Sequence, residues 1–193
     1  MVTRKGRLTR SRIVDGAAAE IRERGVDEVR LEDVMARTRT SKSQIFHYFP
    51  DGKEALLIAV AEYEADRVID DQQPMLGDLT SWPALQAWRD RVIERYREQG
   101  PQCPLTVLLG SVGRRTPAAQ QIVIRLMERW QSAIRDGILA MQQKHEISED
   151  VDADRAAAAM LAGIQGGVLL LITTGSTDHL EAALDVTIGA LRG

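Results

Sequence analysis

An all-α fold follows from three features of this chain. Ala, Leu, Arg and Glu dominate, while the 193 residues hold only two Phe, three Tyr and three Trp, a balance that favours helix over strand. Apolar residues recur at intervals of three and four in segment after segment, the period of a helix with one buried face. No stretch reads as a strand, and no internal repeat is evident. The expected architecture is a small helical head over residues 1–53 and a larger helical body over residues 54–193, about nine helices in all.

The first helix is expected from about Thr9 to Arg24, with Ile13, Ala17, Ala18 and Ile21 on one face and Gly25 as its C-terminal cap. Leu31 to Arg37 forms a second, short helix that turns Leu31, Val34 and Met35 inward. After the polar link Thr38, Arg39 and Thr40 comes a third, Ser41 to Phe49, capped by Ser41, with Ile45, Phe46 and Phe49 as its apolar face. Two short amphipathic helices separated by a few polar residues are a helix-turn-helix. Pro50, Asp51 and Gly52 make a turn, and Lys53 to about Asp70 reads as one long helix. The segment Asp71 to Thr80, with Pro74 and Gly77, separates this helix from those that follow.

Ser81, Trp82 and Pro83 start a helix that ends near Gly100 and Pro101. A short apolar helix is expected over Leu105 to Val112. Pro117 opens a long one in which Val123, Met127, Trp130, Ile134, Ile138 and Met141 repeat at helical spacing. Asp152 to Thr174 and Asp178 to about Arg192 complete the body. Residues 156 to 177 carry no charge and are long enough to cross a bilayer. Their flanks lack the Lys/Arg bias and aromatic belt of a membrane span, and Gln165 lies in the middle, so a buried helix at a subunit interface is expected instead.

Composition narrows the function classes. With 44% hydrophobic and 27% charged residues the chain is globular. Its one cysteine, Cys103, cannot form an internal disulfide, and no Cys/His cluster suits a metal, so neither metal nor cofactor is expected. Met1 to Arg12 is basic with no apolar run behind it, unlike a secretory leader, and a cytoplasmic location is expected. The net charge of −3 hides an asymmetry: residues 1–53 carry +4 and the remainder −7. A basic head on an acidic body is the footprint of a protein whose head alone meets nucleic acid.

The third helix has the chemistry of a major-groove reader. Lys42, Ser43, Gln44, His47 and Tyr48 form its outward face, all able to hydrogen-bond base edges or phosphates. Arg4, Lys5, Arg7, Arg10 and Arg12 form a basic arm, and Lys53 stands at a helix N-terminus, where phosphate is already favoured. The strings TRSRIVDGAAAEIRERG and LEDVMARTRTSKSQIFHYFPDGKEAL resemble the DNA-binding domain of the TetR (tetracycline-repressor-like) transcriptional regulators, with close agreement at Ser41, Lys42, Tyr48, Phe49 and Lys53 to Leu56. The body, through QCPLTVLLGSV and AGIQGGVLLL, resembles the subgroup related to the LmrA and YxaF repressors.

The resemblance implies that Lys42, Ser43 and Gln44 approach bases and that His47, Tyr48 and Lys53 hold the backbone, with Thr40 in the same interface. Three departures stand out. Arg30 replaces the usual threonine at the start of the second helix, so a charged phosphate contact takes the place of a capping hydroxyl. Arg39 stands where the turn usually carries glycine, which suggests a different turn conformation, because positive φ disfavours other residues. Phe46 stands where a tyrosine is common and has no hydroxyl to offer.

In the body, Trp88, Cys103, Leu108, Met127, Trp130 and Gln165 are the expected lining of a site for an apolar or aromatic effector. Gln165, a polar group in an apolar helix, needs a ligand, water or a facing subunit. Gly163, Gly167, Leu170, Leu184 and Ile188 are the expected interface of a homodimer, with the glycines admitting a partner helix closely. The function expected is a ligand-responsive repressor of a palindromic duplex operator, its two reading helices about one DNA turn apart, ~34 Å, or a multiple. Two other classes are weighed: a helical small-molecule-binding or interaction protein without operator binding, and an enzyme, which lacks any paired histidines, phosphate-cradling glycine loop or histidine placed to serve Cys103.

Overall fold

The structure, a computed structural model, describes residues 4–100 and 116–192. The helix expected over Leu105 to Val112 lies outside the described residues, as do Cys103 and Leu108. Eight α-helices are present among those described, and no strand. Backbone contacts gather them into two units, one of residues 4–68 and 116–124 and one of residues 69–100 and 125–192.

The first unit is built on α1 (Arg4–Arg24), α2 (Leu31–Thr38), α3 (Lys42–Tyr48) and α4 (Lys53–Asp70), the last belonging to it up to residue 68. Helix α1 begins about five residues before the expected start, so the basic arm is wound into helix. Gly25 ends it at φ +82, donating to the Ile21 carbonyl at 2.8 Å. Most of the expected core forms: Ile13, Ala17, Ala18 and Ile21 of α1, Val34 of α2, and Ile45 and Phe49 around α3 are buried, joined by Leu56 and Val60 of α4, while Leu31 and Met35 of α2 are half-buried. Helices α1 and α2 meet at Gly16, where a Cβ would stand 2.2 Å from the Thr38 methyl.

Two buried carboxylates bind this frame together. Glu64 of α4, wholly enclosed, takes an ion pair from Arg22 of α1 and a second from Arg67 at 3.7 Å. Burial raises its pKa, and the two guanidinium groups oppose that rise. Glu20 of α1 accepts from Arg37 of α2 at 2.7 Å and faces Arg24 at 3.4 Å. Beside them Tyr63 donates to Asp15 at 2.6 Å; burial and that carboxylate push the phenol up to about 12, so it stays a neutral donor.

The second unit holds α5 (Trp82–Gln99), the greater part of α6 (Pro117–Gln143), α7 (Ala153–Thr174) and α8 (Asp178–Gly189). Ser81 caps α5 by accepting from Ala84 N–H, with Pro83 in its first turn, and Asp152 caps α7 by accepting from Arg155 N–H at 3.1 Å. Trp88 is fully buried, and its indole donates to Gln72 Oε1 at 2.9 Å. Arg89 clasps Asp185 through two bonds of 2.8 and 2.9 Å, and Arg97 pairs with Glu181 at 2.9 Å, which ties α5 to α8.

Helices α7 and α8 pack more extensively than any other pair described. Most residues of the expected dimer interface are engaged in this packing. A Cβ on Gly167 would lie 2.5 Å from Leu180 Cα, and one on Gly163 would lie 3.1 Å from Ala183 Cβ, so the glycines admit α8 of the same chain. Leu184 and Ile188 are likewise buried within the chain, at 0% and 6% exposure. Of the five expected interface residues, Leu170 stays open, beside Leu169 on α7 and Val186 on α8. Helix α7 is long and apolar enough to cross a membrane, with mean hydropathy 1.9 in its most apolar window, and its buried face is spent on this packing. Gly167→Ala should therefore cost about 1–3 kcal/mol of stability in urea denaturation, since the crowded neighbour is α8 backbone and cannot step aside.

Candidate nucleic-acid interface

Helix α3 is framed by its caps. Ser41 Oγ accepts from Gln44 N–H at 3.2 Å, and Gln44 Oε1 accepts from Ser41 N–H at 2.9 Å, a reciprocal capping box. Ser43 Oγ lies 3.0 Å from Ser41 Oγ. Ile45 and Phe49 anchor the helix in the core, which leaves Lys42, Ser43, Gln44 and His47 exposed and Tyr48 half-buried, its ring edge-on to His47 at 4.8 Å. The expected reading face is thus brought together, with Gln44 keeping its amide NH2 free of the cap.

Phe46 departs from its expected inward place. It is 41% exposed and shares a cleft of about 130 Å³ with Leu31, Glu32, Met35 and Lys42, leaning over Gly52. One turn past Lys42, it offers an apolar surface on the outward side, the kind of group that meets a thymine methyl.

Two expected DNA contacts are engaged elsewhere. Lys53 Nζ donates to the carbonyl oxygens of Val26 at 3.1 Å and Val29 at 2.5 Å, so it closes the loop between α1 and α2 where phosphate was expected. Thr40 is buried, and its hydroxyl pairs at 2.7 Å with that of Thr38, which in turn donates to the Val34 carbonyl. A lysine that meets open carbonyls from an earlier loop and a hydroxyl that meets another hydroxyl find partners within the fold; neither pairing has a sequence signature of its own.

The arginines divide into two sets. Arg22 pairs with Glu64, Arg24 with Asp33 at 3.0 Å, and Arg37 with Glu20 and Glu23 at 2.7 and 2.5 Å. Asp33 is held below its ordinary pKa by the Arg30 backbone N–H, then by Arg24. Arg30, Arg39 and Lys42 are exposed and have no carboxylate partner among the described residues, and the same is true of Arg4, Lys5, Arg10 and Arg12 on α1. Arg10 also lies over the Phe49 ring at 5.3 Å. The free cations border α3 at both ends of α2, with Arg30 at its N-cap and Arg39 at its C-cap.

Arg39 keeps the left-handed turn, at φ 50 and ψ 47, and donates its N–H to the Met35 carbonyl. The different turn expected for this residue does not occur; the chain accepts the strain and projects a guanidinium from it. Among the expected effector residues, Trp88 has its indole satisfied by Gln72, Met127 is half-buried, and Trp130 is fully buried with no partner for its Nε1. Both polar side-chain atoms of Gln165 are shielded and unpartnered. A recess of about 580 Å³ between residues 69–77 and α6 is lined by Arg125, Arg129, Ser132 and Asp136, and by none of these residues.

Residues 13–60 match the model for bacterial regulatory proteins of the tetR family, and residues 82–187 match that for the tetracyclin repressor-like C-terminal domain. An HTH-type transcriptional regulator of Mycobacterium tuberculosis is 27% identical over 173 residues, which span 81% of this chain and 84% of that protein. A TetR transcriptional regulator from Chloroflexus aurantiacus has a crystal structure with TM-score 0.81 at 27% identity, covering 97% of this chain and 96% of its own. The SmeT–triclosan complex shares the fold, with TM-score 0.74 at 19% identity over 95% and 91% of the two chains.

The left-handed Arg39 yields a direct test. An L side chain there costs about 1–2 kcal/mol, and glycine returns about 0.4–1 kcal/mol of that as unfolded-state entropy. Arg39→Gly should match or exceed wild-type stability by about 0.5 kcal/mol in urea denaturation, whereas β-branched Arg39→Val should lose stability.

Proposed function

The chain belongs to the TetR family of bacterial regulatory proteins, and from that membership we propose a ligand-responsive repressor that binds a palindromic duplex operator as a homodimer. The observation that carries the DNA reading is the sorting of charge in the head. Carboxylates neutralise Arg22, Arg24 and Arg37, while Arg30 and Arg39, at the two ends of α2, and Lys42, at the start of α3, make no ion pair among the described residues. In this reading Lys42, Ser43 and Gln44 meet base edges, Phe46 adds an apolar contact, and His47, Tyr48, Arg30 and Arg39 hold phosphates. Arg4, Lys5, Arg10 and Arg12 of α1 add affinity without sequence preference.

The dimer is assigned to the apolar face that the single chain leaves uncovered: Leu169 at 66% exposure, Leu170 at 39% and Val186 at 71%, with Gly166, whose Cβ position is open, among them. Two such faces across a two-fold axis give a four-helix bundle of α7, α8 and their copies. The effector enters the body. SmeT, of the same fold, has been solved with triclosan, which supports a small-molecule reading here. The LmrA/YxaF-related subgroup rests on the strings QCPLTVLLGSV and AGIQGGVLLL alone. A cytoplasmic site of action accords with a DNA-binding regulator.

Operator binding is tested by fluorescence anisotropy on DNA flanking the protein's own gene. Lys42→Ala and Gln44→Ala should each weaken it by about 1–3 kcal/mol with no loss of fold. Arg30→Ala and Arg39→Ala should each flatten the dependence of log K on log salt by about 0.9. Wild-type affinity in both α3 variants would remove that helix from the contact. Leu170→Arg combined with Val186→Arg should give a monomer at micromolar concentration in sedimentation equilibrium and lose the operator with the second half-site; a wild-type dimer would place the interface elsewhere.

A further inference from the structure

We propose that the effector is a neutral molecule bearing an amide-like edge, one hydrogen-bond donor beside one acceptor, and that the Gln165 carboxamide in α7 recognises it. This deepens the reading of the body as effector-binding and rests on it.

The inference comes from what the second unit does with its buried polar groups. Even the exposed Thr173 and Thr174 on α7 return their hydroxyls to the carbonyls of Leu169 and Leu170, at 3.0 and 2.8 Å. The buried Trp88 indole donates to Oε1 of the buried Gln72 at 2.9 Å. Trp130 and Gln165 repeat the same two chemical types, an indole N–H and a primary amide, and both are left over. Oε1 and Nε2 of Gln165 and Nε1 of Trp130 are shut from solvent with no hydrogen-bond partner. Elsewhere among the described residues one further side-chain atom is in that position, Glu64 Oε2, and it faces Arg67 at 3.7 Å. Buried amides and indoles are ordinarily paired, so a leftover pair of sites within one body calls for an occupant.

The choice of occupant follows from where these atoms lie. A second copy of the chain is excluded, because Gln165 Oε1 and Nε2 are already closed off within a single subunit and a docking partner meets only the surface. Helix α8 is excluded as well, since it packs on α7 at Gly163 and Gly167, through Leu180 and Ala183, and offers these atoms no bond. What remains is an occupant inside the body, a small molecule or water, which the melting temperature of the ligand-free variant tells apart. A primary amide presents its C=O and its N–H side by side in one plane, and the matching edge is another carboxamide, a lactam or an imide. A carboxylate is disfavoured, because residues 156 to 177 carry no charge that would compensate it.

The test uses the full-length protein and a library of aromatic lactams, carboxamides and imides, each with its N-methyl counterpart, which keeps the shape and loses the donor. Thermal unfolding and tryptophan fluorescence are read on wild type and Gln165→Met. Support requires N–H compounds that raise the melting temperature of wild type, N-methyl partners that do not, and loss of the shift in Gln165→Met. It also requires that ligand-free Gln165→Met melt no lower than wild type, because an orphaned amide contributes nothing to the empty protein. A melting temperature several degrees lower in that variant means that the amide already has partners, water included, and overturns the proposal. So do equal shifts from N-methyl compounds, shifts that persist in Gln165→Met, and the absence of any shift across the library. Operator release, read in parallel, separates the two levels. Compounds that bind through Gln165 and leave DNA bound sink the effector reading, whereas compounds that release DNA from wild type and Gln165→Met alike keep that reading and sink this inference.

Discussion

A carboxylate removed from water must be met by a cation, and in the head this requirement organises the rest. Glu64 is wholly enclosed on α4 and Glu20 nearly so on α1, and the arginines that answer them come from neighbouring helices: Arg22 to Glu64, Arg37 to Glu20. Each pair therefore fixes one helix against another, α1 to α4 and α1 to α2, in a frame whose apolar core is small. Breaking one partner of such a pair leaves an uncompensated buried charge, a penalty of about 3–5 kcal/mol, so the frame is specified more sharply than its hydrophobic area alone would allow. The same pairings settle the electrostatics of the surface. Cations consumed inside cannot meet phosphate, and the net +4 of residues 1–53 is delivered by those left over on α1, at the ends of α2 and on α3.

That division also explains what could be read from the sequence and what could not. Helix α4 falls on its expected span of Lys53 to Asp70, and Gly25 and Ser41 cap where they were expected, because capping and apolar period are local properties. The fates of Lys53 and Thr40 are tertiary. Nothing in the neighbouring residues says that the Val26 and Val29 carbonyls will come within reach of an ammonium 24 to 27 residues later, or that two threonine hydroxyls will close on each other. Phe46 was misplaced for a related reason. Phe46 lies about 100° around the helix from Ile45, and Ile45 with Phe49, one turn apart, fill the core and leave Phe46 at its edge.

In the body the same limit operates on glycine. Gly163 and Gly167 signal close helix approach in any sequence, but the signal does not name the helix that approaches. Here it is α8 of the same chain, which uses up Leu180, Leu184 and Ile188 and turns Leu169, Leu170 and Val186 outward. The apolar residues of α7 thus fill one face closed within the chain and leave another exposed, and apolar side chains on both sides give the helix the composition of a membrane span.

Regulation by a ligand requires that binding energy differ between two states, and the location of the unpaired polar atoms bears on where that difference arises. A hundredfold loss of operator affinity needs about 2.7 kcal/mol of coupling. A buried group left unsatisfied costs about 1–3 kcal/mol, so pairing two or three such atoms is of the size that coupling demands. Apolar contacts along an enclosed body change little when helices shift, whereas a hydrogen bond to a fixed amide is lost with a displacement of about 1 Å. An effector held at Gln165 would therefore discriminate between helix arrangements mainly through its polar edge, while its apolar bulk supplies affinity common to both. The polar residue in the middle of the most apolar helix is, on this argument, where recognition and release are joined.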